Sequence, residues 1–236
     1  MNNFSIVIPV FNEAKNIVIL VEEIFNSLKN IQDDYQLILI DDASTDNTLN
    51  LISNLDYLYL KKIITISNKK NLGQSFSIIK GINQSLYKTI VTLDGDGQNN
   101  PKDIPNLLNY YFSNEDIFLV GGIRKKRKDS LVKILSSRIA NYIRMTVLQD
   151  NCIDTGCSLK VFDKNIFLKF PSFDGIHRFL PALYSGYEKK THFIDVDHRP
   201  RIYGYSKYGT YGRLIRGIRD LIKVAKIIKK FKSNRD

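Results

Sequence analysis

Hydrophobic and polar positions change period along this chain. In residues 1–120, short β-branched and aliphatic runs alternate with stretches whose apolar positions recur every three to four residues. The runs "FSIVIPV", "YQLILID", "KIITIS", "KTIVTLD" and "DIFLVGG" predict strands. Between them Ala14 to Lys29, Asn47 to Asn54, Gln74 to Leu86 and Pro101 to Phe112 carry the helical period. Ser44 and Asp46 supply N-cap chemistry, and Pro101 suits a first helical turn. Strands alternating with helices predict a parallel sheet covered on both faces.

The pattern changes after residue 121. Residues 122–130, "GIRKKRKDS", read as a basic loop, and a helix is expected from about Leu131 to Leu148. "CSLKVF" and "KKTHFIDVDHR" read as strands, expected to add antiparallel, with a helix at "HRFLPALYSG" between them. A Gly/Tyr-rich loop, "YGYSKYGTYG", leads to a basic helix from about Tyr211 to Lys232. No internal repeat or low-complexity linker interrupts the chain, so one domain over 1–236 is expected.

In open parallel sheets ligands bind beyond the carboxyl ends of the strands. Polar clusters stand at four such ends: Pro9 to Glu13, Asp41 to Ser44, Asn68 to Gly73, and Asp94 to Gln98. Four clusters on one rim predict one composite site.

Composition narrows the class. Apolar residues make up 43% and charged residues 25%, as in soluble globular proteins. No apolar run approaches the roughly 18 residues a spanning helix needs. The N-terminus "MNNFSIVIPVFNE" lacks a basic leader region, so no secretory signal and a cytoplasmic location are expected. Cys152 and Cys157 are expected to be reduced thiols, since two thiols alone make no zinc site. The net charge of +11 is uneven. Residues 1–120 hold 9 lysines, no arginine and 14 carboxylates, whereas residues 121–236 hold 26 cations and 10 carboxylates. Either the second half has a solvated basic surface or it meets polyanions.

The candidate chemistry centres on "TLDGDGQNNP". Alternation in an extended segment points Asp94, Asp96 and Gln98 to one side. Two carboxylates so close repel unless a cation lies between them. Oxygen donors without histidine suit Mg2+ or Mn2+, although Asp-x-Asp alone also fits a glycine-rich turn. Asp41 and Asp42 stand where a carboxylate can accept from a ribose or base edge, or cap a helix. Lys69 and Lys70 lie beside a helix N-terminus, a place suited to anions. Neither a G-x-G-x-x-G after the first strand nor a P-loop is present.

Taken together, "IVIPVFNE", "IDDASTDNT", "NLGQSFSIIKGI" and "TLDGDGQNNP" resemble the inverting family 2 glycosyltransferases. The likeness continues through "DTGCSLKVF", "HRFLPALYSGY" and "DHRPRIYGYSKYG", and is to the dolichol-phosphate mannose synthase-like branch. It implies an α/β GT-A fold, Rossmann-like, with a mixed sheet and helices on both faces. It divides the chain into a nucleotide-binding half (1–121), an acceptor-binding half (122–210) and the C-terminal helix (211–232). It implies inverting transfer of a sugar from a UDP- or GDP-linked donor to a polyprenyl phosphate at the inner membrane face.

Carried over by position, Pro9, Asn12, Glu13, Asp42, Lys70 and Asp94 match nucleotide-binding positions. Asp94, Asp96 and Gln98 match the metal set. Arg124, Lys133 and Ser137 match acceptor-phosphate positions, with Arg138 able to share that contact. The pattern usually has arginine where Lys133 stands, and lysine lacks the bidentate fork. Arg201, Ser206 and Lys207 match a loop over the donor phosphates or acceptor, and Arg178 suits a diphosphate contact. Asp96, Arg124 and Lys133 are therefore the expected catalytic set. The common "DADLQ" reads "DGDGQ" here, with the ligands kept.

A phosphate monoester needs no general base, because its second pKa is about 6. It needs a cationic cradle that aligns an oxyanion for in-line attack. Three rival readings remain: transfer to a hydroxyl, which needs a catalytic carboxylate such as Asp154; a degenerate nucleotide-binding module; and a nucleic-acid binder. No helix-turn-helix or RNA-recognition signature supports the last.

In the C-terminal segment Arg213, Arg216, Arg219, Lys223, Lys226 and Lys230 recur at helical steps. Leu214, Ile218, Leu221, Ile222, Ala225 and Ile228 fall on another face. That predicts a basic amphipathic helix, which either lies on an anionic membrane surface or packs on the domain.

Overall fold

A computed structural model describes residues 2–58, 62–125, 141–200 and 210–234, with the side chains of 56–58 and 210–216 excluded. Among the described residues seven strands form one sheet in the order β3-β2-β1-β4-β6-β5-β7. The strands are β1 (Phe4–Val10), β2 (Tyr35–Asp41), β3 (Ile63–Ser67), β4 (Thr89–Thr92), β5 (Ile117–Arg124), β6 (Lys160–Asp163) and β7 (Lys190–Val196). The helices are α1 (Ile17–Leu28), α2 (Thr48–Leu58), α3 (Gln74–Gln84), α4 (Ile104–Phe112), α5 (residues 141–148), α6 (Lys164–Phe167), α7 (Leu180–Gly186) and α8 (Thr210–Ser233).

β1, β2, β3 and β4 pair in parallel. β6 runs antiparallel to both β4 and β5, as the sequence suggests for "CSLKVF". β7 departs from expectation: it pairs with β5 in parallel, from Ile117↔Lys190 to Arg124↔Val196. β7 follows β6 through α7 and runs antiparallel to it; because β6 is itself antiparallel to β5, β7 falls parallel to β5 on its other side.

The strands are apolar on both faces because both faces are covered. Phe4, Ile6, Ile8, Leu37 and Leu39 pack toward α1, α2 and α4. Val7, Ile38, Ile40, Ile90 and Phe162 pack toward α3, α7 and α8. α3 lies very close to the sheet, since a Cβ at Gly81 would sit 2.6 Å from both Ile40 Cδ1 and Val7 Cγ1. That approach brings the N-terminus of α3 to the rim where β1, β2 and β4 end.

The C-terminal helix settles differently from its sequence pattern. Val224 and Ile228 are buried, with Leu221, Ala225 and Ile227 partly so. Phe231 stacks on Tyr187 at 3.8 Å. Most of the apolar stripe beyond residue 217 therefore packs on the domain. Ile218 and Ile222 do not: each is 52% exposed. Arg213, Leu214 and Arg216 fall outside the described side chains. Among the described residues no helix is long and apolar enough to cross a membrane.

Candidate active site

A continuous chain of hydrogen bonds joins the four polar clusters. Asn12 N donates to Ser44 Oγ at 2.9 Å, and Thr45 N donates to Asn12 Oδ1 at 2.8 Å. Glu13 N donates to Thr48 Oγ1 at 2.9 Å. These contacts dock the end of β1 on the loop after β2. Asn12 and Ala43 hold φ of 54° and 60°, a left-handed conformation uncommon for residues with a Cβ. The helix-capping role falls to Asp46, whose Oδ1 accepts from Thr48 N at 3.0 Å.

Asp42 links the second cluster to the third. It is buried, and its carboxylate accepts from Asn68 Nδ2 (2.8 Å), Leu72 N (2.9 Å) and Gly73 N (2.8 Å). Three bonds make Asp42 the organiser of the 68–73 loop and of the start of α3, whereas Lys69 and Lys70 stand exposed on that loop. From the first residue of α3, Gln74 Nε2 donates to Asp94 Oδ1 at 2.6 Å, joining the fourth cluster. Pro9 backs the same loop: a Cβ at Gly95 would meet Val10 Cγ1 at 2.7 Å and the Pro9 carbonyl at 3.1 Å.

Asp94 and Asp96 stand together just beyond β4. Burial, and then repulsion by Asp96, push Asp94 up to about 6, against the pull of Ser158, Lys160 and Arg124. Asp96 is 8% exposed, and its Oδ1 accepts from Gln98 N at 3.1 Å. Gln98 Nε2 donates to the Arg199 carbonyl at 3.4 Å, which leaves Oε1 as the oxygen a cation would take. Among the described residues no group of three or more His, Cys, Asp and Glu could hold a metal. The candidate set is thus two carboxylates and an amide. Two carboxylates whose mutual repulsion raises the pKa of one fit a hard divalent cation.

Asp94 forms part of the floor of a cavity of about 440 Å3, within the range of small-molecule sites. The wall includes Gln74, Ser158, Lys160, Asp174, His177 and Arg178. Arg178 pairs with Asp220 of α8 at 2.8 Å. Beside the cavity, Arg124 grips Asp154 through Nε and Nη2, both at 2.7 Å. Gly156 makes room for this fork, as a Cβ there would sit 2.7 Å from Arg124 Nη2. Lys133, Ser137, Arg138, Arg201, Ser206 and Lys207 lie outside the described residues.

Sequence reading missed Gln74, Lys160 and Asp174 as parts of this wall. Lys160 carried a signal: it is the one charge in the otherwise uncharged run "CSLKVF". His177 resolves as a cavity residue whose Nδ1 lies 2.8 Å from Ser75 Oγ. Burial, with the charges of Arg178 and Lys160, pushes it down to about 3, so it is neutral near pH 7. The unfolded chain takes up this proton near pH 6.5 and the folded chain does not. Stability from His177 is therefore complete above pH 6.5 and falls as pH drops toward 3. His177→Asn should flatten the acid side of the melting-temperature profile; equal slopes for both proteins would contradict this. Cys152 and Cys157 are buried free thiols.

The solved structures of two transferases share this architecture. A mannosyltransferase from Pyrobaculum calidifontis, in complex with GDP-Man and Mn2+, superposes with a TM-score of 0.64 at 14% identity, covering 99% of this chain and 64% of that one. Glucosyl-3-phosphoglycerate synthase from Mycobacterium tuberculosis, with Mg2+ and UDP, gives 0.67 at 16% identity, covering 94% and 77%. The fold is GT-A. Among curated sequences, an undecaprenyl-phosphate 4-deoxy-4-formamido-L-arabinose transferase from Pectobacterium carotovorum is 32% identical over 94% of this chain and 67% of its own length. A dodecaprenyl-phosphate galacturonate synthase from Rhizobium johnstonii is 34% identical over 93% of this chain and 65% of its own. The chain thus spans about two thirds of the length of these relatives. The model of Glycosyl transferase family 2 matches residues 5–171, most of the chain, and with these relatives it places the protein in that family.

Proposed function

We propose that this protein transfers a sugar, with inversion, from a nucleotide-diphosphate donor to a polyprenyl phosphate. The observation that carries the acceptor class is the Arg124–Asp154 pair. Transfer to a hydroxyl needs a carboxylate base. Asp154, the candidate base in sequence, is instead held in a bidentate ion pair, with both carboxylate oxygens already accepting from Arg124. A phosphate acceptor needs no base and is served by a fixed cation, which this pair provides in Arg124.

The rim from Pro9 to Glu13, with Asp42 and Lys70, takes the nucleotide. Asp94, Asp96 and Gln98 would hold Mg2+ or Mn2+, which when bound neutralises the leaving diphosphate as a Lewis acid. The 440 Å3 cavity between α3 and residues 174–178 takes the sugar. Arg124 and, by resemblance, Lys133 and Ser137 orient the acceptor oxyanion for in-line attack at the anomeric carbon.

Asp174 discriminates this reading from the hydroxyl-acceptor one, since it is a carboxylate on the cavity wall. Asp174→Asn should retain transfer to short polyprenyl phosphate within about tenfold, read by mass of the lipid product. A loss of a thousandfold, at the low-to-middle end of general acid–base effects of about 10²–10⁴, would favour a base-dependent hydroxyl acceptor.

The membrane contact assigned to α8 narrows to one side. Arg219, Lys223, Lys226 and Lys230 line a groove with Ile222 and Ile227. Each cation near an anionic surface contributes about 1 kcal/mol, enough together for reversible attachment. Because Val224 and Ile228 are core residues, removing the helix would unfold the site. Ile222→Ser with Lys226→Gln and Lys230→Gln is the cleaner test. Sedimentation with anionic vesicles should fall at least tenfold with melting temperature unchanged; undiminished binding would remove α8 from the attachment.

A further inference from the structure

Lys160 is an ammonium in an unusual place. It opens β6 opposite Thr92 of β4 and Gly121 of β5, in the interior of the sheet. It is 3% exposed, yet it lines the cavity wall. Its Nζ donates to the Cys157 carbonyl, a neutral partner. Among the described residues no ion pair reaches it. Asp94 feels its charge from across the floor, but Asp94 itself takes the Gln74 amide.

A buried ammonium is tolerated when it is paired, and one carbonyl takes only one of its three donors, with the Asp94 carboxylate acting on it through space. The unmatched side of Lys160 is the cavity. An anion that completes the pair must be compact enough to reach the floor. A lipid-tailed phosphate enters from the rim, where Arg124 and Gly156 stand. A carboxylate on the ring of the transferred sugar travels with the sugar into the cavity.

Resting on the transfer reading above, we propose that the donor sugar carries a carboxylate, as a hexuronic acid does, and that Lys160 binds it. Ser158 lies on the same wall, but its hydroxyl already donates to Asn99 Oδ1 at 2.6 Å, so the ammonium is the donor left for the carboxylate. Neutral His177 adds no competing charge. The predicted discrimination is large, because a neutral hexose leaves Lys160 unpaired whereas a hexuronate satisfies it.

The test is a donor panel of UDP- and GDP-linked hexoses, each beside its hexuronate, with short polyprenyl phosphate as acceptor and the mass of the lipid product as readout. The wild type should favour a hexuronate donor by tenfold or more in kcat/KM. Lys160→Met should remove at least tenfold of that preference and weaken calorimetric binding of the hexuronate donor, with the acceptor KM unchanged. Lys160→Arg should keep part of both. A wild type that uses a neutral hexose as well as its hexuronate overturns the proposal, whether or not the methionine variant folds. So does a Lys160→Met defect confined to the acceptor KM, which would make the acceptor phosphate the anion Lys160 meets. If no donor gives a lipid product while a hydroxyl acceptor is glycosylated, the transfer reading itself has failed.

Discussion

Asp96→Ala should abolish turnover and metal-dependent nucleotide binding while the protein remains folded. Asp96 is 8% exposed, and it contributes to the repulsion that holds Asp94 up at about 6. Removing it leaves one carboxylate and an amide, too few oxygen donors to hold a hard cation against water. It removes a charge conflict but also the hydrogen bond from Gln98 N, so the two offset in part and the melting temperature should change little. Function is then lost while stability is nearly kept, as expected where a charge conflict is kept for binding. Calorimetric titration of Mn2+ with UDP and with GDP checks the binding arm, and lipid-product mass checks turnover. Activity of the variant that survives chelation would exclude Asp96 from metal binding.

Local pattern carried much of this site because its parts stand at strand ends. The β1 and β2 runs fall on the observed bounds, Phe4–Val10 and Tyr35–Asp41, since both strands are buried on both faces and read as mainly apolar, β-branched and aliphatic segments. "DGDGQ" was legible for the same reason: its carboxylates follow β4 immediately. What the pattern did not carry depends on long-range placement. β7 looks the same whether it runs parallel or antiparallel, because its alternation records faces and not direction. Nothing local assigns Asp42 to three donors in the 68–73 loop. Likewise the apolar positions of α8 suit a bilayer and a protein core equally, and α7, through Tyr187 and Gly186, decides it for the core. Ser75 and His177 are about a hundred residues apart and meet only because α3 and the segment before α7 converge on one cavity.

Arg124→Ala should both destabilise the protein and raise the acceptor KM, and the two effects can be separated. Asp154 is 5% exposed, and Arg124 Nε and Nη2 each donate to it at 2.7 Å. Deleting the guanidinium removes the ion-pair partner of a buried carboxylate, which keeps the backbone amide of residue 124 as a donor, a change that costs up to about 3–5 kcal/mol. A fall of that size lowers the melting temperature by about 6–20 °C for a chain of this length, and could by itself depress activity. Adding Asp154→Ala removes the buried charge that has lost its countercharge, so the double variant should recover part of the stability. It should not recover the acceptor: without the oriented cation the polyprenyl phosphate KM should stay raised at least tenfold, with the donor KM nearly unchanged. Thermal melts and steady-state kinetics on wild type, both single variants and the double variant read the two effects independently. A double variant with normal acceptor KM would reduce Arg124 to a structural partner of Asp154. A donor KM that rises in step with the acceptor KM would show that the cation serves both substrates, and the division of the site between nucleotide and acceptor would have to be redrawn.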